Sequence, residues 1–332
     1  MSPEAKTLHI LSSSQFDRPF LDHMCRLTDA IRRLDKSKEG LLYLKRLLPH
    51  KRGILYFTQP STRTFLSFES ALHIVGIRPS EIRDSSISSE RKGESIEDSL
   101  RTFSSYVDVI IMRTPVPGQC ERIARYLDST PRPVPIINAG SGPDEHPTQA
   151  LLDIYTLTRG FKNSGGIDGK TITMVGDLKR GRTVRSLSGL LTNYKDVKIR
   201  FVSPEEFRIS DDLRGRLQDS QVGFTETDDL EGAIGDTDAI YMTRVQDEYD
   251  TDGESSRIAN YERFHLRHHH LKKMQDHTVI MHPLPRRNEL DKAIDSDPRA
   301  RYWRQERNGM WTRVALLTRI FNVDQNIILP QL

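Results

Sequence analysis

The sequence predicts an α/β protein made of two doubly wound parallel-sheet domains joined by helices. Three observations predict it. Short apolar or β-branched runs alternate with amphipathic stretches along the chain, the pattern of repeated βαβ units. The length, 332 residues, is too great for one small core and suits two domains of roughly 150 residues each. A stretch rich in glycine, Gly160 to Gly169, interrupts the alternation near the middle.

The strands expected from short apolar runs are Gly53–Phe57, Val107–Met112, Val134–Asn138, Thr171–Gly176, Val197–Val202, Ala239–Met242 and Thr278–Met281. Helices are expected between them. Phe65, Phe68, Leu72 and Val75 share one helical face, with Gly76 as the stop. Ile96, Leu100, Phe103 and Val107 share another, which Ser95 begins with Asp98 at capping-box distance. Pro147 is placed to open a third helix that ends near Gly160.

Composition narrows the function classes. Apolar residues make up 36% and charged residues 29%, a globular balance, and no apolar run reaches the ~18–20 residues that span a bilayer. The first residues show no signal-peptide pattern, so the expectation is a cytoplasmic protein without membrane contact. Cys25 and Cys120 form neither a disulfide framework nor a zinc pattern. The net charge of +3 is small and its cations are dispersed, which argues against nucleic-acid binding and for local sites that take small anions. Consecutive side chains in His268-His269-His270 do not share a helix face, so no metal is expected there or elsewhere. Val175-Gly176-Asp177-Leu178-Lys179 lacks the Gly-x-Gly-x-x-Gly loop of dinucleotide enzymes, and no cofactor is expected.

In α/β sheets, ligands bind beyond the carboxyl ends of the strands, and several polar clusters fall there. The run Thr58-Gln59-Pro60-Ser61-Thr62-Arg63-Thr64 follows the first strand and opens a helix, bringing the hydroxyls of Ser61, Thr62 and Thr64 and a guanidinium to free backbone N–H groups. The same pattern also fits a capped helix whose Arg63 pairs with a carboxylate. Ser85 to Glu94, with Ser88, Arg91, Lys92 and Gly93, suits either a loop that closes on an anion or an ordinary solvated loop. Arg113 directly follows the second expected strand. His146 precedes the Pro147 helix, where it can donate to a carbonyl oxygen or simply cap and pack, and Gln149 can address an amide.

Pro60-Ser61-Thr62-Arg63-Thr64 with Leu66-Ser67-Phe68-Glu69 resembles the carbamoyl phosphate signature of the aspartate and ornithine carbamoyltransferases, and His146-Pro147-Thr148-Gln149-Ala150-Leu151-Leu152-Asp153 resembles their second signature. The resemblance continues in order through Val175 to Val184, Tyr241 to Gln246, His282-Pro283-Leu284-Pro285-Arg286 and Asn308-Gly309-Met310-Trp311. Ornithine enzymes carry His-Cys-Leu-Pro where this chain has His282-Pro283-Leu284-Pro285. They also use a Ser-Met-Gly motif that is missing here. Arg182, Arg244 and Gln246 point instead to the aspartate branch, since two arginines suit the two carboxylates of a dicarboxylate.

The resemblance implies a carbamoyl phosphate domain over 1–148, an aspartate domain over 149–306, and a helix at about 307–325 that returns to the first domain. It implies that carbamoyl phosphate binds first, on Ser61, Thr62, Arg63, Thr64 and Arg113. The carbamoyl oxygen would then face Thr64, Arg113 and His146, and its amino group Gln149. Catalytic roles fall to Arg63, Thr64, Arg113 and His146. Aspartate would dock on Arg182, Arg244 and Gln246, with Leu284 and Pro285 shaping its pocket. Ser88 and Lys92 match a loop that family members lend to a neighbouring subunit, where both would meet carbamoyl phosphate and Lys92 also aspartate, which implies a homotrimer. Some relatives also carry a regulatory chain or pathway enzyme, which this sequence leaves open. Two departures bear on the acceptor: Phe65 stands where the aspartate branch has arginine, and Arg180 where it often has a non-basic residue. They keep a different amino-acid or ureido-forming acceptor as an alternative, with a non-catalytic binding partner as a second.

Overall fold

A computed structural model of the chain describes residues 7–83, 93–142, 145–220, 222–245 and 261–328. The chain divides into two compact units, Met1–Thr148 with Gly309–Leu332, and Gln149–Asn308.

The first unit runs α1 (Arg18–Leu34), α2 (Lys38–Lys45), β1 (Arg52–Phe57), α3 (Thr62–Ile74), β2 (Arg78–Ile82), α4 (Ile96–Ser104), β3 (Val109–Thr114), α5 (Gln119–Asp128) and β4 (Ile136–Ser141). Its strands pair in parallel in the order β2-β1-β3-β4. The order reverses between β1 and β3, and this switch point leaves a crevice at their carboxyl ends. Ile54, Tyr56, Ile110, Met112, Leu100 and Ile123 meet in one apolar cluster. Ser95 caps α4 by accepting the Asp98 N–H at 3.1 Å. Gly76 ends the turn after α3 at φ +86°, and a Cβ there would lie 2.1 Å from the Lys45 carbonyl oxygen.

Helix α6 (Pro147–Gly160) carries the chain into the second unit. That unit contains β5 (Thr171–Val175), α7 (Arg182–Leu191), β6 (Lys198–Val202), α8 (Asp211–Asp219), β7 (Gly223–Thr227), α9 (Leu230–Ala233), β8 (Ala239–Met242) and β9 (Val279–Met281). Its strands are parallel in the order β7-β6-β5-β8-β9, with the reversal between β5 and β8. Val175, Val202, Ile240, Met242, Ile280 and Tyr302 share its core. Helix α10 (Tyr302–Ile320) returns to the first unit, where Arg313 Nη1 donates to Ser67 Oγ at 2.5 Å and its guanidinium lies 4.7 Å from the Phe68 ring centre.

The fold is the doubly wound arrangement predicted from the sequence, with corrections at the edges. Strands β2 and β7 were not foreseen. Both are sheet-edge strands with half-exposed polar residues, and Pro79 sits in β2, so neither makes an apolar run. Val107 belongs to neither α4 nor β3; it lies between them and packs in the core. Val134, Val197 and Thr278 fall just before their strands, and Gly176 just after β5. No helix among the described residues is long and apolar enough to cross a membrane.

Candidate active site

Ser61, Thr62, Arg63, Thr64 and Arg113 lie at the carboxyl edge of the first sheet. Ser61 is the N-cap residue of α3 in an extended conformation, and its side chain makes no cap hydrogen bond, so capping does not occupy the hydroxyl. Thr62 and Arg63 are exposed in the first turn, and Thr64 is buried. Across the switch point, Arg113 in β3 pairs in register with Phe57, and its carbonyl accepts the Thr58 N–H at 2.9 Å. The Arg113 guanidinium is buried and reaches β4, where Nη1 donates to the Ala139 carbonyl at 2.9 Å.

His146 is buried at the end of the next loop. Its neighbour Glu145 bridges to Ser141 and accepts from the Ser13 N–H at 3.3 Å and the Ser13 hydroxyl at 3.0 Å. The segment before the histidine is thereby tied down. The interactions of His146 do not include a hydrogen bond at its buried Nδ1. Thr148 Oγ1, two residues on, is buried with no hydrogen-bond partner among the described residues. Asn138 turns out to be a strut: its amide holds Leu11, Gly140 and Ser141. Hydroxyls, a helix N-terminus and arginine at one sheet edge can bind a phosphate, and a buried imidazole can donate to a carbonyl oxygen.

The second unit repeats the plan. Arg182 is the first residue of α7, the helix that follows β5, and Arg244 closely follows β8. These strands flank the second switch point. Gly176 brings the two loops together. At φ +122°, its Cβ position would lie 2.2 Å from the Thr243 carbonyl oxygen. An arginine in the first turn of a helix opposes the dipole, so the helix itself gains nothing from Arg182 at that position. Arg244 Nη1 donates to the Val245 carbonyl at 2.9 Å. Leu284 adopts φ +51° before a cis bond to Pro285. Gln246, Ser88 and Lys92 lie outside the described residues.

Both departures from the aspartate branch have structural occupations. Phe65 is buried against Phe57, edge to face at 5.4 Å between centres, and the Arg83 guanidinium lies 4.4 Å over its ring. Arg180 Nη1 lies 3.7 Å from the buried Asp177 carboxylate, and its guanidinium 5.1 Å from the Phe207 ring centre. Phe65 is thus a core residue, and the charge of Arg180 is balanced locally.

Two buried polar groups escaped the sequence reading. Asp153, one helical turn beyond Gln149, is fully enclosed. Its Oδ1 accepts from Gln149 Nε2 at 3.0 Å and Gln305 Nε2 at 2.7 Å, and its Oδ2 from the Tyr241 hydroxyl at 2.7 Å. Burial pushes its pKa up to about 7, against the pull of those three bonds. Burial likewise raises Tyr241, with the Asp153 charge adding to it. The second group is the buried pair His282–Glu289, joined at 2.8 Å beneath the Leu284-Pro285 loop. Burial lowers the pKa of His282 and keeps it neutral. The signal for Asp153 was its i,i+4 spacing from Gln149 on the same helix.

The histidine run needs a correction. His269 and His270 lie in a short 3₁₀ helix and do converge on Glu231, with ligand atoms within 4.8 Å of one another. The His270 Nδ1 accepts the Arg267 N–H at 2.9 Å, so its Nε2 carries the proton that faces Glu231 at 2.7 Å. Lys273 also pairs with Glu231. This is an ion-pair network, with the inner imidazole already committed.

Comparison with known proteins agrees with this geometry. Residues 8–159 match the family model described as the aspartate/ornithine carbamoyltransferase carbamoyl-P binding domain, and residues 168–320 its Asp/Orn binding domain. The chain is 42% identical over 276 residues to the aspartate carbamoyltransferase catalytic subunit of Thermoplasma volcanium, covering 82% of this chain and 86% of that one. It is 41% identical to aspartate carbamoyltransferase 2, chloroplastic, of Pisum sativum, over 93% of this chain and 77% of the relative. It is also 42% identical to the multifunctional protein CAD of Squalus acanthias, but spans only 13% of that protein's length. Among solved structures, aspartate transcarbamoylase of Trypanosoma cruzi with carbamoyl phosphate and aspartate superposes with a TM-score of 0.83 at 33% identity, over 94% of this chain and 96% of that one. Matched over both domains, the chain belongs to the aspartate/ornithine carbamoyltransferase family.

Proposed function

We propose that this chain transfers the carbamoyl group of carbamoyl phosphate to the amino group of L-aspartate, yielding N-carbamoyl-L-aspartate and phosphate. The observation that carries the reading is the placement of Arg182, at the start of the helix that follows β5, and of Arg244, just beyond β8, beside the second switch point. Two guanidiniums there suit an acceptor with two carboxylates. Phe65 and Arg180, the two departures that bear on the acceptor, are engaged by their own neighbours. The Trypanosoma cruzi relative has been solved with carbamoyl phosphate and aspartate, and with carbamoyl aspartate and phosphate.

In this reading Ser61, Thr62, Arg63, Thr64 and Arg113 hold the phosphate. Aspartate is held by Arg182, Arg244 and Gln246, beside Leu284 and Pro285. Its neutral amine attacks the carbamoyl carbon, and the C–N bond forms as negative charge builds on the carbamoyl oxygen. Thr64, Arg113 and His146 donate to that oxygen, already in place before charge develops. The C–O bond to phosphate then breaks, and the departing phosphate takes the amine proton. Holding both reactants in one orientation supplies much of the remaining acceleration.

The wider setting belongs to the same proposal: a step of pyrimidine biosynthesis, in the cytoplasm, by a homotrimer in which Ser88 and Lys92 complete a neighbour's site. Sedimentation and cell fractionation test the last two. Turnover with carbamoyl phosphate and aspartate, with ornithine run beside it, tests the reaction. Formation of carbamoyl-aspartate alone is the expected result. Product with ornithine, or with neither acceptor, overturns the reading.

A further inference from the structure

Gln149 begins a chain of hydrogen bonds inside the second unit. Its Nε2 donates to Asp153 Oδ1, and Gln305 Nε2 donates to the same oxygen. The orientation of Gln305 is fixed independently, because its Oε1 accepts the His282 backbone N–H at 3.0 Å. A carboxylate oxygen only accepts, so the end of the Gln149 carboxamide that meets Asp153 must be its N–H₂ end. Protonation does not reverse this. Oδ1 faces two N–H₂ groups, whereas Oδ2 faces a Tyr241 hydroxyl that can accept, so an added proton belongs on Oδ2.

We infer that Asp153 is a positioning residue that selects the carbamoyl group: it holds Gln149 by its N–H₂ end and leaves the Gln149 oxygen to accept from an N–H on the acyl group. An acyl phosphate that carries a methyl in place of the amino group offers that oxygen nothing and leaves it desolvated. A site built on such a bond rejects the analogue that lacks it. The inference rests on the proposed assignment of Gln149 to the carbamoyl amino group.

The test is the preference for carbamoyl phosphate over acetyl phosphate, as a ratio of kcat/KM values with aspartate as acceptor. It is measured for the wild-type protein, Gln149→Leu, Asp153→Leu and Asp153→Asn. Both donors carry the same phosphate, so a merely structural defect lowers both rates and leaves the ratio unmoved. The ratio should fall about tenfold in Gln149→Leu and in Asp153→Leu, the worth of one buried hydrogen bond. Asp153→Asn keeps a carbonyl oxygen toward the two glutamines and can turn its N–H₂ to Tyr241, so it should retain the preference. An unchanged ratio in Gln149→Leu overturns the underlying assignment of that residue. Loss in Gln149→Leu with retention in Asp153→Leu overturns the role of Asp153. If the leucine variant does not fold, the asparagine variant decides: retention supports the inference and loss overturns it.

Discussion

His282 accepts the backbone N–H of Leu284 on its Nδ1 at 2.8 Å, while its Nε2 faces Glu289 at 2.8 Å. Because Nδ1 accepts, Nε2 must carry the proton and donate to the carboxylate. Glu289 also accepts the Arg287 N–H at 2.9 Å, so the buried pair clamps the loop bearing Leu284 and Pro285 from both sides. Replacing His282 with alanine removes the imidazole partner of a buried carboxylate and the acceptor of the Leu284 N–H. We expect a loss of about 3 kcal/mol in urea unfolding and a raised KM for aspartate. An unchanged aspartate KM in the folded variant would remove this loop from the acceptor pocket.

Arg63 stands in the first turn of α3 beside the Ser61, Thr62 and Thr64 hydroxyls. Arg63→Ala should lower kcat/KM at least a thousandfold, since a charge-assisted, forked contact to phosphate would be lost where charge shifts during reaction. Calorimetric titration with carbamoyl phosphate should show no binding at millimolar concentration. An active variant would displace the phosphate site from this helix.

Arg182 and Arg244 should separate from Arg63 in their kinetic effect. Arg244→Ala is expected to raise the KM for aspartate about a hundredfold, the scale of one lost charge-assisted contact to a carboxylate. Carbamoyl phosphate binding should change by less than about threefold. Equal weakening of both substrates would count against the acceptor role.

Gly176 and Thr243 hold the two acceptor loops in contact, since a Cβ on Gly176 would sit 2.2 Å from the Thr243 carbonyl oxygen at φ +122°. Gly176→Ala should therefore destabilise the protein by more than about 2 kcal/mol. It should also weaken aspartate binding. A melting temperature equal to wild type would show that the loops can separate freely.

The two buried titratable groups work in opposite senses with pH. The folded-state pKa of His282 lies below its ordinary 6.5. Its contribution to stability is complete above that value and is lost as the pH falls. Asp153 is raised from 3.8 to about 7, so its contribution is complete below pH 3.8 and lost as the pH rises through about 7. The stability of Asp153→Asn relative to wild type should thus increase from pH 4 to about pH 7 and level off above it. Urea unfolding across that range checks the trend, and a flat difference would mean that Asp153 titrates in the ordinary range.

Sequence alone determined the class of fold and much of the candidate site. Buried parallel strands must be apolar runs, so β1, β3, β4, β5, β6, β8 and β9 were legible. Pro147, Ser95 and Gly76 act through their own backbone chemistry and marked their helix boundaries locally. Ser61 to Thr64 was legible for the same reason, since a helix N-terminus with its hydroxyls is a local feature. Tertiary structure decided what depends on distant partners. Edge strands β2 and β7 have one neighbour each and lack the apolar signal. Phe65 reads as a missing charge until Phe57 and Arg83 are seen around it. Asp153 reads as one more motif letter until Tyr241 and Gln305, 88 and 152 residues away, are found bonded to its carboxylate. A buried polar group is stable only through partners brought by the fold, and a linear sequence does not show which partners those are.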